Sequence, residues 1–274
     1  MMLRRLNYTV LYIVLALLAL MVLYPIIFTV FSAFMTEKEV SVFPPPLFPH
    51  HLYWGNFAKA VQTIPILRFL LNSLIVSAAI MACQAVTSAM AAYAFSFLQF
   101  KLKNAMFLLY LSTMMIPWEV TVIPNYLTIK SLGWMDSYQG LIVPFMAGAF
   151  GVFLLRQFFL QLPHELFDAA KIDGCGHLRT FFSIVLPLAR PALSTLCVYV
   201  FLNHWNSYLW PLLITNKPTM RTVQIGVAML QHEEVMAWNL ILAGVSLVLL
   251  PSFLLLALGV KQLIQGITAG AVKG

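Results

Sequence analysis

The sequence predicts an all-α integral membrane protein with six transmembrane helices. Of its 274 residues, 61% are hydrophobic and only 9% are charged, whereas roughly one quarter of a soluble domain is charged. Six apolar runs reach the length of about 20 residues that a helix needs to cross a bilayer. They lack the alternation of barrel strands, so each is expected to be a helix that satisfies its own backbone. The runs cover residues 11–34, 69–98, 105–127, 139–159, 191–214 and 237–263.

Lysine and arginine in the connections predict the orientation of the chain, because these residues favour the cytoplasmic side. Ten fall on one side: Arg4, Arg5, Lys101, Lys103, Arg156, Lys171, Arg179, Arg190, Lys261 and Lys273. Six fall on the other: Lys38, Lys59, Arg68, Lys130, Lys217 and Arg221. Both termini, residues 1–10 and 264–274, are therefore expected in the cytoplasm. This bias accounts for the net charge of +7, so we do not interpret the charge as a nucleic-acid surface.

The sequence contains no pattern typical of catalysis or of cofactor binding. The histidines form no H-x-x-x-H pair, and Cys83, Cys175 and Cys197 have no metal-ligand spacing. A glycine-rich phosphate loop and a nucleophile elbow are also lacking. We therefore expect a non-catalytic subunit without a metal or cofactor of its own. If ATP and Mg²⁺ drive it, another polypeptide must bind them.

The outer segment 35–68 is long and rich in proline, with Pro44, Pro45 and Pro46 in succession. This composition excludes one continuous helix. The segment also carries an aromatic patch at Tyr53, Trp54 and Phe57. A packed cap over the first two helices and a contact with a partner are equally compatible with the sequence.

The cytoplasmic loop 160–187 is predicted to form two short helices joined by a glycine turn. Pro163 suits the first turn of a helix, and Glu165 and Asp168 are acids near its positive end. Gly174 and Gly176 would end this helix, since glycine accepts the left-handed conformation. Four residues share a face of the first helix, namely Leu166, Ala169, Ala170 and Asp173; the corresponding face of the second comprises Leu178, Phe181, Phe182 and Val185. Spacing alone leaves open an amphipathic hairpin on the membrane surface.

Seven positions within this loop follow a fixed spacing over twenty residues. They are Asp168, Ala169, Ala170, Gly174, Ile184, Leu186 and Pro187. The pattern resembles the EAA loop with which membrane subunits of ABC importers contact their cytoplasmic ATPase. Asp168 departs from the usual Glu of that family. In the resemblance, the acid pairs with a basic residue of the ATPase and the alanines permit close approach.

The C-terminal residues 265–274, including Gly270 and Lys273, resemble the tail of maltose-type permeases, which reaches the ATPase dimer interface. As composition alone they would be a flexible end. The helices, the long outer segment, the loop and the tail together resemble the second permease subunit of carbohydrate-uptake ABC importers. Stretches such as 116–120, 135–138, 156–159 and 205–213 are most similar to glycerol-3-phosphate and arabino-oligosaccharide members.

This resemblance implies a type I ABC importer permease fold in the plasma membrane of a prokaryote. It also implies a heterodimer with a second permease, two cytoplasmic ATPase subunits and an extracytoplasmic solute-binding protein. Closure of the ATPases would draw the docking loops together and pivot the helices. The outer segment 215–236 would contact the binding protein through Gln231, His232, Glu233 and Glu234. The solute would be a sugar or a sugar-like molecule, or alternatively glycerol-3-phosphate or its diester.

Two places on the sequence are candidates for the solute path. The fifth run carries Asn203, Asn206 and Tyr208, whose amide and aromatic groups suit sugar binding. Aromatic anchoring at the outer membrane interface is an equally good explanation of this stretch, although the two asparagines are preferred as lining. Glu119, beside Pro117, is either a hydrated interfacial acid, which its position favours, or a gate or solute contact.

Three other classes of protein compete with the importer subunit. A secondary carrier needs ionisable groups within its helices for a coupling ion, and the six runs contain almost none. A membrane-embedded enzyme needs a convergent catalytic set, and the sequence shows none. A membrane assembly protein is compatible with the composition, but it provides no reason for the docking loop. Co-purification of an ATPase distinguishes the importer from all three.

Overall fold

The computed structural model describes the backbone of residues 2–230 and 237–269, and the side chains of residues 8–230, 237–254 and 257. These residues are helical, without a strand. The helices are α1 (Met2–Ser32), α2 (Glu37–Val40), α3 (Gly55–Thr63), α4 (Ile66–Phe97), α5 (Lys103–Ser112), α6 (Trp118–Ser131), α7 (Tyr138–Ile142), α8 (Ala149–Phe159), α9 (His164–Ile172), α10 (His177–Thr180), α11 (Leu186–Leu188), α12 (Arg190–Trp205), α13 (Leu209–Ile214), α14 (Val223–Leu230) and α15 (Trp238–Ala269). Turns of 3₁₀-helix occupy Thr113–Met115, Val143–Phe145 and Pro218–Met220, and a π-helical turn occupies Phe181–Val185.

The apolar runs form helices, but not all of them form one helix each. By length and composition two described helices can cross a membrane, Tyr8–Ser32 and Ile66–Phe97, or up to five if each of three bent pairs is one span. The bent pairs are Lys103–Met115 with Trp118–Ser131 (95°), Tyr138–Phe145 with Ala149–Phe159 (42°), and His177–Leu188 with Arg190–Trp205 (76°). The described apolar part of the last helix, Trp238–Leu254, is shorter. The structure therefore does not establish six continuous spans.

Proline and glycine explain two of these breaks. Ile116 is extended, with φ −83° and ψ 113°, because the proline ring that follows disfavours the helical conformation. Gly148 is also extended, with φ −149° and ψ 133°. The run 191–214 is interrupted too, between the end of α12 and the start of α13. The expectation of one continuous helix is thus corrected for three of the six runs.

The chain divides into two compact units, of which the first comprises Met1–Leu67 and Gly226–Leu250. In this unit an amide network joins the outer segment to the neighbouring helices. Asn56 donates to the carbonyl oxygens of Ala33 (2.9 Å) and Met35 (2.7 Å), and Asn239 donates to the Asn56 amide oxygen at 2.8 Å. Residues 35–64 therefore pack against the end of α1 and the start of α15.

The aromatic patch of the outer segment is partly used in this packing. Phe34 contacts the rings of Trp54 and Phe57, with centroids 4.8 and 4.9 Å apart, although Trp54 remains 65% exposed. In the same segment, the backbone N–H of Thr36 donates to Glu39 at 2.7 Å and lowers the pKa of that carboxyl. A local cap accounts for these contacts, and the exposed ring of Trp54 is available for further contacts.

The apolar part of α1 has almost no cover within the chain. An 18-residue window within Tyr8–Ser32 has a mean hydropathy of 2.8, and none of its residues is buried inside the chain. Exposed apolar surface of this size marks a lipid or protein contact in a folded protein. The helix is therefore stable only where lipid or another subunit surrounds it.

The second unit, Arg68–Ile225 with Pro251–Gly274, contains the larger apolar core. Here α8 approaches α4 closely, because Gly151 faces Ser88 and a Cβ at Gly151 would collide with that hydroxyl. Leu155, Phe159 and Leu196 are fully buried in the same core. Small residues at such crossings are typical of membrane helix packing.

Candidate functional site

The predicted docking loop forms two helices joined by a left-handed glycine. The helix α9 ends at Asp173, and Gly174 has φ +72°. The Cys175 N–H donates to Ala170 at 2.8 Å and the Gly174 N–H donates to Lys171 at 3.0 Å, which is the Schellman arrangement. The left-handed turn predicted at Gly174 is confirmed, whereas Gly176 has φ −73° and begins α10.

One face of α9 packs against the core of the second unit. The Phe167 ring lies 4.3 Å from that of Phe97 at the end of α4. Ala170 is only 4% exposed, while Ala169 is exposed. Of the two adjacent alanines, Ala169 alone is accessible to a partner; Ala170 permits close approach within the chain.

The second half of the loop is anchored in the same way. Phe181 contacts Tyr93 of α4 with ring centroids 5.2 Å apart, and Val185 is fully buried. The sequence predicted that Leu178 and Phe182 share a face with these two residues. Leu178 and Phe182 are instead 74% and 62% exposed, so this face is divided between core and surface. A π-helical turn at 181–185 contributes to this division, because it shifts the register by one residue. Of the remaining motif positions, Ile184 and Leu186 are half-buried and Pro187 is exposed.

The structure leaves four apolar side chains of this loop exposed, namely Leu166, Ile172, Leu178 and Phe182; together they are called the docking surface below. Ile172 is 87% exposed, the highest value of the four, and Leu166 is 39% exposed. Ile172 was not identified from the sequence, where an isoleucine between lysine and aspartate was the available signal. The acids Glu165 and Asp173 of the same loop are also exposed.

Asp168 lines a cleft between the loop and the end of α4. The cleft has a volume of about 540 Å³. Lys103 and Lys171 also line it, together with His164 and His177. Lys103 is held there by donating to the Ser96 and Leu98 carbonyl oxygens at 3.0 and 2.9 Å. Asp168 is an exposed residue of this mainly basic cleft. A cationic side chain of a partner that approaches Asp168 therefore also comes near the positively charged Lys103 and Lys171.

The candidate path residues of the fifth run lie on exposed surface. Asn203, Asn206 and Tyr208 are all exposed. Asn206 donates to the Leu202 carbonyl oxygen at 2.9 Å, and Gln224 lies 3.4 Å from the Asn206 amide oxygen. Gln224 was not identified from the sequence, because no motif connects it to this stretch.

The tryptophans of the same stretch have a different role. Trp205 and Trp210 are 1% and 2% exposed, and Trp210 donates to the Gly140 carbonyl oxygen at 3.1 Å. They are core residues and neither anchor the chain at an interface nor line a path. Trp118 and Phe145 surround Trp210, with ring centroids 5.6 and 5.8 Å from it.

Glu119 is exposed in the first turn of α6, directly after the break at Pro117. Its neighbour Trp118 packs against Phe145 at 5.2 Å and fixes the start of the helix. An acid here also suits the positive end of α6. Both interpretations of Glu119, hydrated acid and gate, agree with this location.

Some predicted residues lie outside the described part of the chain. Gln231, His232, Glu233 and Glu234, the candidate contacts with a binding protein, fall in the undescribed residues 231–236, and Gly270 and Lys273 of the tail fall after residue 269. The backbone of α15 is helical through Ala269, so the tail begins as a helical continuation. Within the described residues, no group of histidine, cysteine and acidic side chains could hold a metal ion.

Comparison with known proteins decides which family these features represent. Residues 84–267 match the family described as the binding-protein-dependent transport system inner membrane component. The chain belongs to this family. It is therefore a permease subunit of an ABC importer, and the resemblance inferred from the sequence is confirmed. The alternatives of a secondary carrier and of an assembly protein are excluded.

Relatives of this permease and a solved structure agree with the assignment. The sn-glycerol-3-phosphate transport system permease protein UgpE of Pectobacterium atrosepticum is 36% identical over 256 residues, covering 90% of this chain and 91% of that protein. UgpE of Rhizobium meliloti is 34% identical over 257 residues, with the same coverage. A crystal structure of a bacterial ABC transporter involved in the import of the acidic polysaccharide alginate contains a chain with TM-score 0.82 and 20% identity. The match covers 94% of this chain and 96% of that one and confirms the fold.

The turn at Gly174 allows a direct test of the loop. Gly174→Val should impair transport, because a non-glycine residue in the left-handed region costs about 1–2 kcal/mol and the second helix must then reorient. Uptake by cells and the amount of ATPase that copurifies with the permease measure the effect. Gly176→Val is the matched control, since Gly176 has negative φ and open space around it. Equal uptake by the two variants would contradict a role for this turn.

Proposed function

We propose that this permease forms half of the path for sn-glycerol-3-phosphate or a closely related polar solute. The observation that carries the proposal is the similarity to glycerol-3-phosphate permeases over 90% of the chain. The alternative solute is a neutral sugar, which the amide and tyrosine side chains at 203–208 also suit. In both cases the path is completed by a second permease in a heterodimer.

The remaining partners are two cytoplasmic ATPase subunits, which bind ATP and Mg²⁺, and an extracytoplasmic solute-binding protein. The docking surface receives an ATPase subunit on Leu166, Ile172, Leu178 and Phe182. It combines apolar side chains with the exposed acids Glu165 and Asp173 of the same loop, and interfaces typically contain both apolar and polar groups. Ala169 permits close approach, and Asp168 pairs with a cationic side chain of the ATPase. The tail after residue 263 extends the contact.

The topology that suits this assembly has six spans in the plasma membrane of a prokaryote, with both termini in the cytoplasm. The two long helices, the helical segments of the third to fifth apolar runs, and α15 supply these spans. Breaks at membrane depth are tolerated where protein buries them or where they line a water-filled cavity. Trp118, Phe145 and Trp210 pack beside these breaks, whereas Ile116 and Met146 at the breaks are exposed within this chain. The cytoplasmic loop then lies on the same side as both termini.

The mechanism follows from the attachment of the docking surface to α4. Movement of an ATPase subunit displaces α9, and the contact between Phe167 and Phe97 transmits the displacement to α4. Asn203 and Asn206 offer amide groups to a polar solute on exposed surface, and the half-buried Gln224 lies 3.4 Å from the Asn206 amide oxygen. The residues Gln231–Glu234 contact the binding protein on the outer side, and Glu119 contacts the solute or acts as a gate at the start of α6.

Uptake measurements test the choice of solute. Cells that contain the complete transporter should accumulate radiolabelled sn-glycerol-3-phosphate, and unlabelled maltose should not compete. The same cells with an inactive ATPase provide the background. Competition by maltose, with no accumulation of glycerol-3-phosphate, would favour the neutral sugar instead.

Charge in the docking surface should prevent assembly with the ATPase. Leu178→Asp places an ionised group at the centre of the proposed interface, and an unpaired charge there should reduce ATPase copurification by about tenfold or more. The control is Leu52→Asp, because Leu52 is 58% exposed in the outer segment. Normal copurification with Leu178→Asp would show that the ATPase binds elsewhere.

The path residues can be tested by cysteine labelling. Asn203→Cys and Asn206→Cys should react with a water-soluble thiol reagent in at least one nucleotide state, whereas Ser88→Cys, at a fully buried position, should not. Asn206→Leu should also reduce uptake, because losing a hydrogen bond to a bound polar group costs about 1–3 kcal/mol. Asparagine positions that never react would face lipid or protein.

A further inference from the structure

The connection between α13 and α14, residues 215–222, is held by polar contacts at both ends. At its start, the Asp136 carboxylate accepts the N–H groups of Asn216 and Lys217 at 2.6 and 2.7 Å. Near its end, the Asn72 side chain donates to the Thr219 and Arg221 carbonyl oxygens at 2.9 and 2.8 Å. The connection is therefore fixed to two other parts of the second unit.

Asn72 uses every polar atom of its side chain in this junction. It is fully buried near the start of α4. Its two amide hydrogens go to the connection, and its amide oxygen accepts the Tyr138 hydroxyl at 2.8 Å. The neighbouring Ser73 hydroxyl accepts the Val223 N–H at 2.9 Å. A buried side chain whose polar atoms are all paired favours one arrangement, because displacement leaves a polar group unpaired.

Asp136 adopts a backbone conformation that L-residues rarely occupy. Its φ is +52°, in the left-handed region that costs a non-glycine residue about 1–2 kcal/mol. The conformation places its carboxylate against two consecutive N–H groups, and such charge-assisted hydrogen bonds are stronger than neutral ones. Its own N–H also donates to the Ile214 carbonyl oxygen at 2.9 Å. Aspartate is among the few non-glycine residues that adopt this region, because its short polar side chain can form local hydrogen bonds. Here the bonds to Asn216, Lys217 and Ile214 hold the conformation.

The centre of the connection is exposed although its ends are fixed. Asn216, Lys217, Pro218 and Thr219 are exposed, whereas Thr215 and Thr222 are 2% and 4% exposed. A flexible loop absorbs a contact without moving the helices beneath it. A loop fixed by Asn72 and Asp136 passes the contact to α4 and to the segment that precedes α7.

We propose that Asn72 and Asp136 are positioning residues that transmit contact by the solute-binding protein from the exposed centre of the connection to α4. This inference rests on the proposed function, because it requires a binding protein as partner. In the sequence the connection precedes α14, and α14 precedes the residues 231–234 proposed above as contacts with that partner. Together with the aromatic contacts of Phe97 and Tyr93 with the docking loop, the junction places both ends of α4 in contact with segments for which partners are proposed.

Two substitutions at Asp136 distinguish the effect of its side chain from the effect of its backbone conformation. Both Asp136→Gly and Asp136→Asn tolerate positive φ, but only asparagine retains an oxygen that can accept the two N–H groups. The purified complete transporter is used, with its binding protein and a saturating solute. Hydrogen exchange of the Asn216 and Lys217 amides reports the attachment directly, and ATPase stimulation by binding protein reports its consequence.

With Asp136→Gly we expect faster exchange at these two amides, because their charge-assisted bonds are lost. The basal ATPase activity should be unchanged. The binding-protein concentration that gives half-maximal stimulation should rise about tenfold. For Asp136→Asn, this half-maximal concentration should stay within about twofold of the native value. Tyr138→Phe retains both bonds from Asn72 to the connection. Its half-maximal concentration should lie between the values of the two Asp136 variants.

Faster exchange with unchanged stimulation would overturn the proposal and leave the junction with a structural role only. Unchanged exchange in Asp136→Gly would also overturn it, because the side chain would then not hold the connection. If the native ATPase is not stimulated by the binding protein, the proposed partner is wrong, and the exchange result separately shows whether Asp136 fixes the connection.

Discussion

The contact between Phe97 and Phe167, with ring centroids 4.3 Å apart, determines how the loop 160–187 is joined to the rest of the second unit. Phe97 is the last residue of α4 and Phe167 lies in the middle of α9. Together with Tyr93 against Phe181 at 5.2 Å, it joins both halves of the loop to one long helix. Aromatic pairs of this kind contribute about 0.5–1.5 kcal/mol beyond their burial. A displacement of the loop therefore also acts on α4, and not only on the neighbouring segments of the chain.

Composition and spacing were sufficient to predict much of this architecture. Apolar runs identified the helical segments, because lipid leaves the backbone few alternatives. The motif also identified Gly174, since few residues other than glycine accept the left-handed turn that ends α9. Both results depend on local constraints, in which a residue and its immediate neighbours decide the conformation.

Features that depend on distant contacts were less predictable. Ala169 and Ala170 are identical in sequence terms, but the path of the surrounding chain buries only the second. Trp205 and Trp210 looked equally suited to an interface or a path, and packing against other helices places both in the core. The role of Asn72 depends on carbonyl groups almost 150 residues away in the chain, and hydrophobic periodicity contains no information about them.

Three helix ends that border breaks meet at Trp118, Phe145 and Trp210, whose ring centroids lie 5.2 to 5.8 Å apart. The breaks beside them, at 116–117, 146–148 and 206–208, already lack the regular bonds of an α-helix. A change of angle there rotates a few backbone dihedrals and ruptures few hydrogen bonds. The breaks in the helices therefore lie beside a cluster of packed aromatic rings. Reorienting the flanking segments at these breaks disrupts fewer helical hydrogen bonds than bending the uninterrupted helix α4.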